Sequence, residues 1–306
     1  MATFLVGTRR GLLLVRLDPG ATMASEPRRV LEGRVDALSA DGGTQYALLD
    51  GARVHRFAPD RWVPVAQAPR LTALAVARGV VFAGTADGRV LRQDAQALVP
   101  LAGFDALDRS GWHAVGSDAP YVRSLTATAG GDVLLANVHV GGVARSADRG
   151  DAWTVTVPPD DDVHEVRAHP ERAGVVVLAA AVGFASSDDG GLTWTRSNDG
   201  LHARYARAVA FAGDTVLLSA SDGPFSRRGA LYRRPAGATT FERCTVGLPA
   251  WFPGNIDTGC VAGRGDVVVI GDSEGNLFCS RDAGRSFARA ASGLPSITAV
   301  AVQSAA

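Results

Sequence analysis

Seven short stretches along the chain alternate apolar and polar residues. They are RVDALSA from Arg34, RLTALAVA from Arg70, YVRSLTAT from Tyr121, DVHEVRAH from Asp162, YARAVAFA from Tyr205, NIDTGCVA from Asn255 and SITAVAVQ from Ser296. A period of two over four to eight residues predicts a half-buried β-strand. After each of the first six comes a more uniformly apolar run, such as QYALL from Gln45, VVFAG from Val80, VVVLAAA from Val175 and DVVVIG from Asp266. Runs of this kind predict strands buried on both faces.

Aligned on one position, the alternating stretches place Asp36, Thr72, Arg123, His164, Arg207, Asp257 and Thr298 in register. Seven units of about 40–50 residues, each with room for four strands, predict an all-β, seven-bladed β-propeller with antiparallel blades. The last stretch has no later partners, and TFLVGTRRGLLLVRL from Thr3 lacks an inner strand. The C-terminal strand is therefore expected to pair into the N-terminal blade and close the ring, which removes two exposed sheet edges. No Pro/Ser-rich linker interrupts the repeat, so residues 1–306 read as one domain.

A second repeat sits between strand pairs. SADRGDAW (Ser146–Trp153), SDDGGLTW (Ser187–Trp194) and SRDAGRSF (Ser280–Phe287) share S-x-D-x-G followed by an aromatic residue, and RRPAGATTF (Arg233–Phe241) is a worn copy. Ser and Asp oxygens accept turn N–H groups, and Gly allows the reversal. Asp148, Asp189 and Asp282 thus read as turn staples. The pattern resembles the Asp-box of the bacterial neuraminidase repeat, found in sialidases and in many other β-propellers. Sialidases of this kind also carry an Arg-Ile-Pro, three Args on the substrate carboxylate, an Asp acid/base and a Tyr–Glu nucleophile pair. This chain has no Arg-Ile-Pro, aligns only two Args, and offers no Glu placed to partner Tyr121 or Tyr205. The resemblance therefore implies the fold without sialidase activity.

Charge narrows the partners. The 306 residues carry 31 basic and 31 acidic side chains, so no net field recruits nucleic acid or an anionic membrane. No apolar run approaches about 20 residues, and the N-terminus lacks signal-peptide features. Cys244, Cys260 and Cys279 lack CxxC spacing and read as buried, reduced thiols, which suits the cytoplasm.

Candidate chemistry gathers in the loops of one face, the one entered by the inner strands and left by the second strands. These loops carry His113, Tyr121, Arg123, His139, Asp160, Asp161, Asp162, His164, His202, Arg204, Tyr205, Arg207, Asp222, Trp251, Asn255 and Asp257. Loops on a rigid scaffold are the usual home of function. His139, His164 and His202 beside the Asp160–Asp162 run suit a divalent metal or acid/base chemistry. Alternatively, each His only ties down its own loop. Arg123 and Arg207 suit an anion, or else pair with Asp36 and Asp257. Catalytic candidates are His164, His139, Asp162 and Asp257, with Asp222 as another carboxylate for a glycosidase pair. A small-molecule ligand would rest on Arg123, His139, His164, His202, Tyr205, Arg207 and Asp257. Three readings stay open: a funnel that binds or transforms a small, anionic or metal-associated molecule; a protein-interaction scaffold; and a glycosidase-like hydrolase.

Overall fold

The computed structural model describes residues 2–18, 20, 24–41, 43–117 and 119–303. Among the described residues the architecture is almost entirely β, with one short helix (Ala102–Asp105) and a 3-10 turn (Pro159–Asp161) that the periodicity does not predict. The chain divides into two compact units, residues 1–38 with 197–306, and residues 39–196.

In the first unit, three four-stranded antiparallel sheets follow one another. The strand Ile297–Val302 pairs with Ala2–Thr8, which pairs with Gly11–Leu17 and then Arg28–Leu31. The expected C-terminal to N-terminal pairing is thus present, with Phe4 opposite Val302 and Gly7 opposite Ala299. It buries Phe4, Val6, Ile297 and Val300 in one apolar cluster. The other two sheets cover residues 205–243 and 261–291 in chain order. Their shared core includes Leu217, Leu231, Phe252, Ile256 and Phe278.

In the second unit, two four-stranded sheets cover residues 121–157 and 163–196. Two further four-strand runs meet edge to edge, where Ala97 pairs in parallel with Gln67, and form one eight-stranded sheet. The inserted helix packs Phe104 edge-on against Trp153, with centroids 5.0 Å apart. Apolar burial of this kind supplies most of the folding drive.

Two sequence features set how one sheet meets the next. The first is the glycine that ends several of the apolar second strands. A Cβ on Gly7 would lie 2.6 Å from Val35 Cγ1, on Gly84 2.4 Å from Val122 Cγ1, and on Gly271 2.4 Å from Ile297 Cγ2. Only glycine lets the next inner strand start that close. The second is the aligned position itself. Register shifts fall at Thr72, Arg123, His164 and Thr298 and across Arg207–Ala208, so each of these aligned residues sits at a β-bulge. A bulge re-aims its side chain out of the pleat. Thr72 Oγ1 donates to the Val122 carbonyl at 2.6 Å, and Thr298 Oγ1 donates to that of Val35 at 2.7 Å, tying neighbouring inner strands. Of the other two aligned residues, Asp36 lies inside strand Val35–Asp41, and Asp257 lies before its strand, which begins at Val261.

The S-x-D-x-G turns behave as hydrogen-bond staples. In all three, the serine hydroxyl donates to the aspartate at 2.7 Å and accepts from the glycine N–H at 2.7–2.9 Å. The fourth residue, Arg149, Gly190 or Ala283, has positive φ and turns its carbonyl outward. A third-strand arginine from the preceding sheet then donates to that carbonyl: Arg92 to Arg149, Arg145 to Gly190 and Arg233 to Ala283, at 2.9–3.3 Å. The worn copy at Arg233–Phe241 lacks the serine and aspartate and so has no such staple.

Candidate functional site

Two strands and a turn bring one histidine–carboxylate group together in the second unit. Strand Leu134–His139 ends at His139, paired to Tyr121 at the start of Tyr121–Ala127. The proline pair Pro158–Pro159 opens the 3-10 turn, and Asp162 closes it in left-handed backbone geometry, at φ 45°. That conformation is costly for a residue with a Cβ. It is held from both sides: the Asp162 N–H donates to Pro159 O, and Ala181 N–H donates to Asp162 O, each at 3.0 Å. His164 follows at the bulge of strand Val163–Ala168. His139 Nε2 lies 3.3 Å from Asp162 Oδ1, and His164 Nε2 lies 3.4 Å from Oδ2. One ligand atom from each of the three residues lies within 4.8 Å of the others. The imidazole centroids are 6.0 Å apart, and Tyr121 covers His139 at 5.2 Å.

His139 is 7% exposed and His164 fully buried, while the Asp162 side chain keeps 25% of its surface. The group is therefore dry on the imidazole side and open on the carboxylate side. Burial pushes the Asp162 pKa up. The hydrogen bond and charge of His164, with the charges of His139 and Arg123, outweigh it, and the carboxyl sits below its usual range. A carboxylate facing two imidazoles can bind a cation, hold one imidazole in a fixed tautomer, or accept a proton from a bound hydroxyl.

The remaining candidates have other surroundings. Arg207 forms a two-oxygen ion pair with Asp257 at 3.0 and 3.1 Å and donates to Tyr205 Oη at 3.2 Å, so the pairing alternative describes it. Asp36 meets Arg34 at 2.6 Å. Asp161, next to the site in sequence, is spoken for by Arg196, while Asp160 is exposed. In the first unit, His202 Nδ1 meets Tyr232 Oη at 2.7 Å, stacks on that ring, and packs at 4.8 Å on Trp251. Its Nε2 lies 3.5 Å from Asp222. Burial lowers the His202 pKa, with Asp222 opposing. Asn255 holds the Gly223 and Pro224 carbonyls. His113 is exposed in its loop. His169 accepts the N–H groups of Glu171 and Arg172, each at 3.1 Å, as a turn residue. All three cysteines are buried free thiols, and burial pushes Cys244 up to about 12 and Cys279 up to about 11, which removes thiolate chemistry at neutral pH.

Three partners escape a sequence reading. Tyr232 looks like ordinary strand core and is 1% exposed, yet its hydroxyl organises His202. Arg145 and Arg233 look like solvated strand charges but clamp the next turn. A cavity of about 280 Å³ in the second unit lies on the side of the S-x-D-x-G turns, lined by Arg78, Phe82, Arg92, Asp148 and Arg149, away from the histidines.

No protein-family model matches the chain. A curated xyloglucanase from Paenibacillus sp is 33% identical over 103 residues, which is 31% of this chain and 10% of that protein. Among solved structures, a Niastella koreensis GH74 enzyme superposes with a TM-score of 0.61 at 15% identity, over 84% of this chain and 45% of its own. The GH74 xyloglucanase from Xanthomonas campestris gives 0.59 at 18%, again over 84% and 45%. The computationally designed Ika8 protein gives 0.61 at 15%, over 99% of this chain and 88% of its own. The fold is a β-propeller. The chain spans a tenth of the length of the curated xyloglucanase and under half of these GH74 chains. At these identities, the solved structures speak for the propeller fold and not for an activity.

Proposed function

We propose that this propeller binds a small polar molecule at His139, Asp162 and His164, with Tyr121 and Arg123 at the edge of the site. One observation carries the reading: three chemically active side chains from separate strands and a costly turn converge, with two imidazoles buried against one partly open carboxylate. Strain and buried polar groups concentrate where a fold serves a ligand. The seven-blade count from the sequence period belongs to this reading, which sets the site among the loops of one face. The probes are a neutral monosaccharide, a uronic acid and inorganic phosphate, each followed by thermal shift and native mass spectrometry. Wild-type protein is expected to bind one of them at one per chain, and Asp162→Asn to lose it. Equal responses from both proteins to every probe would remove the site.

The local likeness to a xyloglucanase favours a second reading, glycoside hydrolysis. That chemistry needs two carboxylates about 5–10 Å apart, and Asp162 would supply one. Reducing-end release from xyloglucan, abolished by Asp162→Asn, tests it.

A further inference from the structure

The spacing inside the His139–Asp162–His164 group suits a metal as well as an acid/base relay. A histidine hydrogen-bonded to a carboxylate as an acid/base relay closes to about 2.7–2.9 Å when the bond is charge-assisted. Here both contacts are longer, 3.3 and 3.4 Å. They run to different Asp162 oxygens, Oδ1 and Oδ2, so with one carboxylate donor only one of them is a ligand–ligand edge, and that edge has a length a small divalent ion allows. A tetrahedral ion with bonds of about 2.0–2.1 Å sets neighbouring ligand atoms about 3.3–3.4 Å apart. One ring nitrogen from each imidazole and one Asp162 oxygen all lie within 4.8 Å of one another. Closing the widest of these separations to the tetrahedral edge takes at most about 1.4 Å, the difference between 4.8 and about 3.4 Å.

The donor set agrees with the spacing. Two imidazoles and one carboxylate suit a borderline ion such as zinc, not calcium or magnesium, which prefer all-oxygen shells. The placement agrees too. The imidazoles are buried and the carboxylate is partly open, so three protein ligands come from one side and the fourth position faces the opening. That is the arrangement of a zinc site that takes water or a ligand in its open position, not of a closed structural site. Charge is the third argument. Beside the bare carboxylate an anionic ligand has only the nearby Arg123 charge in its favour, whereas a divalent ion reverses the local sign and gives the ligand a direct partner.

We propose that His139 Nε2, Asp162 and His164 Nε2 bind one zinc-class divalent cation, whose open position receives the small molecule of the proposed function. This rests on that reading. The site excludes surface adsorption as an explanation, because both imidazoles are at least nine-tenths buried.

The test uses the full chain, stripped by a chelator and dialysed. Zinc chloride alone is titrated by calorimetry, and cobalt chloride alone is followed by its visible spectrum. One zinc per chain and an intense tetrahedral cobalt band are expected. Asp162→Asn and His139→Gln should each weaken zinc by about tenfold or more. His139 ends its strand, so His139→Gln keeps the test alive should Asp162→Asn fail to fold. His113→Gln, an exposed loop histidine, should bind zinc like wild type. Absence of stoichiometric zinc, an octahedral cobalt spectrum, or wild-type affinity in His139→Gln overturns the metal. A thermal shift by the uronic acid in stripped protein, lost in Asp162→Asn, would keep the binding site and remove only the zinc. Zinc binding with no response to any small-molecule probe would keep the zinc and remove the ligand.

Discussion

Replacing Asp189 by alanine isolates the staple of one S-x-D-x-G turn. The carboxylate accepts four hydrogen bonds, from the Leu192 and Thr193 N–H groups at 3.0 and 2.9 Å, the Thr193 hydroxyl at 2.6 Å and the Ser187 hydroxyl at 2.7 Å. They do not count equally. Leu192 is 55% exposed, so the two turn N–H groups regain water and cost about 0.5 kcal/mol each. The Thr193 hydroxyl is also exposed and rehydrates at little cost. Ser187 is 3% exposed, so its hydroxyl loses an acceptor in a dry place, at about 1 kcal/mol. The expected loss is about 2 kcal/mol. The carboxylate itself is exposed, and solvent screening keeps its charge from adding much more. The assay is urea unfolding followed by tryptophan fluorescence at shared slope, with Asp188→Ala as control, an exposed neighbour expected to stay within about 0.5 kcal/mol of wild type. The pH dependence has a fixed sign. The hydrogen bonds from Thr193 and Ser187 hold the Asp189 pKa far below its ordinary value. Its contribution is therefore complete above the ordinary aspartate range and is lost as pH falls toward the folded pKa. The gap between wild type and variant should be flat from about pH 5 to 8 and narrow only in acid. A gap under about 0.5 kcal/mol at pH 7, or one that widens in acid, would refute the staple.

Deleting residues 296–306 removes the strand Ile297–Val302 and uncovers Phe4 and Val6, so the truncated chain should aggregate on expression or lose its cooperative melt; an unchanged calorimetric transition would contradict this. Arg145→Ala should cost about 1 kcal/mol, through the bond to the Gly190 carbonyl, and Arg145→Lys should restore little of it, because the bond comes from the guanidinium Nε. Urea midpoints of the pair decide. A fluorogenic sialoside should not be turned over, because the arginine aligned with Arg123 is tied to Asp257; enzyme-dependent fluorescence would overturn that.

Much of the fold is legible in the residue order because strand formation and turn formation are local. Alternation in YVRSLTAT and the apolar run in VVVLAAA predict strands that exist as Tyr121–Ala127 and Val176–Ala180. The S-x-D-x-G spacing predicts a hydrogen-bond pattern that recurs with the same 2.7 Å Ser–Asp contact at Ser146, Ser187 and Ser280. The site is legible only as a list of polar residues in loops of one face. The sequence treats Arg123 and Arg207 as equivalents at one aligned position, and only the loop that precedes strand Val261–Arg264 shows that Arg207 is held by Asp257. It treats Asp160, Asp161 and Asp162 as one acidic run. The left-handed turn at Asp162 sends the third toward two imidazoles, while the second meets Arg196. Side-chain pairing across strands depends on register, bulges and backbone sign, which no single stretch encodes. Residue type and period therefore determined the strands and turns, and tertiary packing decided which charges are neutralised and which converge.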